Sequence, residues 1–145
     1  MTILEPLFPN APVRVRNLGM LGLLPFVLGA LMCLFGGEQT DAMGVRWLLI
    51  WGMITMLFLA GMHLGQSTVG GESDVRMGMS AIALGCIVMV SAAGFDGKWA
   101  LLPLLIGFSG HCAIRFDALP SWFERMKRFL ETGVVICLLI GLLFG

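Results

Sequence analysis

The sequence predicts an all-α membrane protein, a bundle of five transmembrane helices. Three observations carry that class. Apolar residues make up 58% of the chain and charged residues only 12%, about half the usual charged share. Mean hydropathy is +0.93, and a soluble domain of 145 residues still exposes about a third of its unfolded surface, more than these few polar groups can cover. The apolar residues also gather in five windows of the length that crosses a hydrocarbon core about 30 Å thick. A soluble domain, a nucleic-acid binder and a disordered chain are excluded, and the lipid bilayer is the first expected partner.

Each element follows from local chemistry. Residues 1–17 read as an N-terminal arm, extended because of Pro6, Pro9 and Pro12. Span one covers residues 18–36. Arg14 and Arg16 precede it as in a signal peptide, but Leu34 and Gly36 do not make a small-x-small cleavage site, so the helix is expected to stay. Span two, 45–66, carries Gly61-x-x-x-Gly65, a pattern that lets helices approach closely. A loop from Ser67 to Asp74, with Gly70-Gly71, lacks the Lys-Ser/Thr ending of a phosphate cradle. Spans three and four cover 77–93 and 99–114. Ala81/Gly85 and Gly133/Cys137/Gly141 form further small-residue ladders. Pro25 and Pro103 fall early in their spans, where a missing amide costs least.

Span five, 121–144, is expected to open on a capping box of Ser121 and Glu124. Its first turns supply the interface anchors Trp122, Arg125, Lys127 and Arg128. Trp122, Phe123, Met126 and Phe129 point to lipid in this reading, and the three cations to headgroups. Trp47, Trp51 and Trp99 suit an aromatic belt at the other interface.

Nine Lys+Arg balance nine Asp+Glu, so distribution matters more than sum. Arg14, Arg16, Arg76, Arg115, Arg125, Lys127 and Arg128 share one side, against Arg46 and Lys98 on the other. By the positive-inside rule the N-terminus is cytoplasmic and the C-terminus non-cytoplasmic. The expected location is a bacterial inner membrane, or a mitochondrial-type one, in multi-pass form. Every charge falls in a loop or at the edge of a span.

The residues able to carry chemistry inside the spans are His63 and His111. Spans two and four run the same way, and both rings lie about 5–6 Å from the ends of their spans. Polar groups in membrane helices turn inward and seek partners, so His63 is expected to have a hydrogen-bond partner from span one, three or four, with His111 favoured, and Gly61 and Gly65 close by leave room for a ligand. Three readings stay open. Each imidazole satisfies itself within the bundle; or the two hold a quinone-like or other amphipathic molecule; or they ligate a b-type haem whose propionates meet Arg76 or Arg115. Cys33, Cys86, Cys112 and Cys137 lie in apolar runs without metal spacing and read as packing residues. No Ser/His/Asp set, carboxylate pair or phosphate cradle is present, so no catalytic activity, no metal and no cofactor beyond that haem alternative are expected.

Several motifs carry a resemblance. Gly19-x-x-Gly22-Leu-Leu-Pro25-Phe26, Leu59-Ala-Gly61-Met-His63-Leu-Gly65 and Pro120-Ser-Trp122-Phe123 with Arg125 resemble the transmembrane-protein-69-like family of small bacterial and mitochondrial membrane proteins, a domain of unknown function. Gly107-Phe108 and Asp117 are similar to its fourth span and exit. The resemblance implies five spans and no established reaction, and centres a motif on His63. Leu64 and His111 depart from the family pattern. The expected function is that of a non-catalytic accessory or assembly subunit packed against a larger membrane complex or a second copy. The alternatives are a quinone-like or haem-binding protein using His63 and His111, and a small transporter.

Overall fold

The computed structural model describes residues 11–67, 72–113 and 120–145. Among them are five α-helices: α1 Val13–Phe35, α2 Glu38–Ser67, α3 Glu72–Ala93, α4 Leu101–Ala113 and α5 Ser121–Phe144. A 3-10 turn, Gly97–Ala100, leads into α4, and Gly97 at φ +58° takes the left-handed backbone that glycine adopts without a Cβ clash.

The helices form an up-and-down ring in which α1 packs on α2 and α5, and α3 on α2 and α4, while α2 also reaches α4 and α5. Glycines set the close approaches. A Cβ at Gly29 would lie 2.8 Å from Leu48, and one at Gly133 would lie 3.0 Å from Leu23. Phe26, Leu48, Met56, Leu101, Leu104, Phe108 and Leu138 fill the centre, all essentially without exposure.

Among the described residues two helices, α1 and residues 38–65 of α2, are long and apolar enough to cross a membrane. Among the same residues, the apolar part of α3 is the shorter Gly78–Ala93 and α4 covers thirteen residues, while Glu124 to Glu131 puts five charges into the first half of α5.

Several boundaries differ from the sequence reading. The arm ends earlier, because α1 begins at Val13 and the Arg16 amide donates to the Pro12 carbonyl at 3.0 Å. Pro25 consequently sits in mid-helix, and the Trp47 indole Nε1 donates to its carbonyl at 2.9 Å, so Trp47 braces α1. Helix α2 starts at Glu38 and not at 45; Glu38 and Asp41 in its first turn suit the positive end of the helix dipole. Ser67 and Glu72 to Asp74 are helical, which shortens the loop, while Gly70-Gly71, Arg115 and Asp117 lie outside the described residues.

The capping box does not form. Pro120 is the N-cap, no side chain caps it, and its carbonyl accepts from Phe123 and Glu124 at 2.9 and 3.3 Å. Ser121 is therefore already helical, and Glu124 pairs with Arg128 at 2.9 Å.

Candidate functional site

Helices α2 and α4 run in parallel, and their glycines hold them close. A Cβ on Gly52 would lie 2.8 Å from Leu104, and one on Gly107 would lie 2.7 Å from Met56. Two turns further on, the same alignment brings the imidazoles of His63 and His111 into contact, stacked with ring centroids 5.1 Å apart and planes 23° apart. Both side chains are fully buried. The two rings meet at the depth expected, but they stack and are not joined by the expected hydrogen bond. Among the described residues, no hydrogen-bond partner reaches either ring nitrogen of His111.

Gly61 and Gly65 do not share in this. Both are exposed, and a Cβ at either position would meet nothing within 4 Å among the described residues. The spacing that permits a helix contact thus faces outward, away from the imidazole pair.

Helix α5 supplies what the sequence reading assigns elsewhere. Lys127, expected at the headgroups, is buried, and its Nζ donates to the His111 carbonyl at 3.1 Å. The same ammonium lies 3.3 Å from the Glu131 carboxylate, which is only 3% exposed. Met126 turns to Gly19 of α1 and not to lipid. Trp122 is half-buried, whereas Arg125 and Arg128 are exposed as expected of anchors. The sequence signal for this pair is its i,i+4 spacing, with Glu131 already inside the apolar run that starts at Phe129. Arg16 is a second buried cation, 2% exposed, on the inward stripe of α1 that continues through Leu23, Phe26 and Ala30. Its Nε has no hydrogen-bond partner among the described residues.

Arg16, His63, His111, Lys127 and Glu131 are the buried polar and charged side chains among the described residues, and all five sit at the end of the bundle where α1 begins. Beside them runs a groove of about 480 Å³ between α1, α2 and α5, floored by Phe108 of α4. Leu18, Gly22, Ile54 and Phe58 line its exposed mouth; Leu23, Phe26 and Val134 line its depth; Lys127 and Glu131 are its charged residues. Its size is that of a small-molecule site.

Among the described residues, no group of three or more His, Cys, Asp or Glu converges as a metal site. The four cysteines are free thiols, with Cys33 and Cys137 buried. An iron between the two imidazoles would require α2 and α4 to part, since the rings already touch.

A family model described as a protein of unknown function (DUF3429) matches residues 11–143. No curated protein and no solved structure gives a match.

Proposed function

We propose, for a chain that belongs to the DUF3429 family of proteins of unknown function, that it is a non-catalytic five-span membrane protein holding an amphipathic, lipid-borne molecule in the groove between α1, α2 and α5. The observation that carries this reading is a mostly apolar groove, open at Leu18 and Phe58, with a buried Lys127–Glu131 pair in its wall. Burying an ion pair is expensive and seldom adds stability, so its place beside a groove supports a recognition role. The apolar body of the ligand would lie against Phe26, Phe108 and Val134, and its polar head against the pair. The imidazole pair sets the wall from behind, because the His111 carbonyl holds Lys127.

Five spans draw support from the outward faces. Leu21 and Leu28 on α1, Ile50 and Leu57 on α2, Ile87 and Val90 on α3, Ile106 on α4, and Ile136 and Leu143 on α5 are all exposed, a surface that suits lipid and not water. Exposed Arg14, Arg125 and Arg128 at one end support a cytoplasmic N-terminus in an inner membrane. The motifs around Gly19, His63 and Pro120 support a place near the transmembrane-protein-69-like proteins.

The test is direct. Lipid extracts of the purified protein are compared by mass spectrometry with those of Gly22→Leu, whose new side chain would enter the groove without meeting an atom within 4 Å at its Cβ. Wild type should retain a defined molecule and Gly22→Leu should lose it while unfolding at the same temperature. Equal retention by both, or none by either, overturns the reading.

A second reading, an accessory subunit packed on a larger complex or a second copy, is favoured by the outward Gly61 and Gly65 on α2. Co-purification in mild detergent tests it: Gly61→Leu should release a partner that wild type retains, and a monomer without partner in both cases counts against it.

A further inference from the structure

We infer that the head of the bound molecule is an anion, a carboxylate or phosphate on a single apolar chain, recognised by Arg16 together with Lys127. The inference rests on the groove reading above and adds its ligand class. It begins with charge. Of the three buried ionic side chains among the described residues, Lys127 already has the Glu131 carboxylate at 3.3 Å, whereas buried Arg16 has no ion pair there and an unpartnered Nε. A buried cation without a counter-charge is costly unless something compensates it, and guanidinium is the side chain best shaped for carboxylate and phosphate oxygens.

Helical register places that cation level with Lys127, next to Val15 of the groove's lining. Helices α1 and α5 run in parallel, with Leu23 packed on Gly133 and Gly19 on Met126 and Leu130. Arg16 lies seven residues before Leu23, two turns back along nearly the same stripe. The same step back from Gly133 on α5 reaches Met126, next to Lys127. Arg16 and Lys127 therefore occupy one level on neighbouring helices, Lys127 in the lining of the groove and Arg16 beside Val15, which also lines it. From that level the groove runs along Gly19, Leu23 and Phe26 toward Val134, an apolar track for a chain. The direction also suits a membrane. The charged end lies within two turns of Ser121, near the interface, and the track leads toward the middle of the bundle.

The experiment uses the full chain, purified and delipidated in a neutral detergent. Hexadecanoate, hexadecyl phosphate and hexadecanol are titrated in parallel, with binding read by native mass spectrometry and by the shift in unfolding temperature. Both acids, or one of them, should bind at least about tenfold tighter than the alcohol, a difference of about 1.4 kcal/mol, and the tighter acid names the source of the anion. Arg16→Gln should bring the acids down to the alcohol while leaving alcohol binding unchanged, and Arg16→Lys should keep a preference for acid. Equal binding of all three probes to wild type overturns the anion and leaves the groove reading standing. Binding of none overturns both. Equal loss of all three in Arg16→Gln also overturns the inference, since Arg16 would then serve the fold and not the charge.

Discussion

Replacing Lys127 by Met separates the ion pair from the packing around it. The ammonium lies 3.3 Å from the Glu131 carboxylate, with the two side chains 6% and 3% exposed. At an effective dielectric of about 20, that separation gives an attraction of about 5 kcal/mol. The bond to the His111 carbonyl adds about 0.6 kcal/mol, with about 1.7 as an upper value for interhelical bonds in membranes. Lys127→Met strands a buried carboxylate, and breaking one side of a buried pair costs about 3–5 kcal/mol. Glu131→Met should cost a similar amount by stranding the ammonium, less what the His111 carbonyl recovers. The double variant removes both desolvation penalties and keeps the volume, so it should lie within about 1–2 kcal/mol of wild type or above it. Reversible unfolding of delipidated protein in mixed micelles, with SDS as denaturant, gives all four corners of the cycle. Additive losses, with the double variant lower than either single one, would refute the pairing. Single losses below about 1 kcal/mol would refute the burial.

Gly141→Ala should lose about 1–3 kcal/mol by overpacking, because its Cβ would press on Leu48 and Leu101, whereas Gly61→Ala should gain up to about 1 kcal/mol of helix propensity; the same unfolding assay compares them. Trp47→Phe should lose about 0.5–1.5 kcal/mol through the bond to the Pro25 carbonyl, read by unfolding and by loss of the ordered indole fluorescence. A reporter fused after Gly145 should signal the non-cytoplasmic side and one inserted at Gly70-Gly71 the cytoplasmic side, and a cytoplasmic C-terminus would overturn the five-span reading. His63→Leu should insert at wild-type levels but retain about tenfold less of the bound molecule, a loss of about 1.4 kcal/mol, because His111 loses the ring stacked on it at 5.1 Å and its carbonyl holds Lys127. Unchanged retention in the lipid extract would sink that link.

Hydropathy locates all five helices, because a run of apolar residues is a strong signal wherever the surroundings are lipid. It places their ends poorly. Glu38 and Asp41 of α2 and Glu72 to Arg76 of α3 are helical but polar, and hydropathy reports the solvent of a turn, not its backbone. The contact between His63 and His111 is legible, since equal depth on two helices of the same direction needs only residue counts. The inward turn of Lys127 is not legible from charge alone, because a cation at the end of a span ordinarily extends to the headgroups. Only the Glu131 carboxylate one turn on, inside apolar sequence, points the other way. Gly61 and Gly65 show the converse limit: small residues permit a close approach without naming the helix that makes it.

The distribution of buried polarity also weighs on the transporter alternative. Arg16, His63, His111, Lys127 and Glu131 share one end, and above them Phe26 meets Phe108 edge to face at 6.4 Å. Beyond the two rings, the described core continues through Leu48, Leu101, Leu104 and Leu138. Asp41 and Arg46 line a separate cleft at the far end, beside Asp96 and Lys98. Carrying a polar solute between these clefts would mean opening the packed apolar layer, in which Leu48 and Leu101 lie so close to Gly141 that an added Cβ would force their side chains to shift. Holding a molecule that enters sideways from lipid requires no such opening. Leu18, Ile54 and Phe58 already stand exposed at the mouth of the groove, and under the proposed five-span arrangement the charged end of the site would lie where the head of an amphiphile rests in a bilayer.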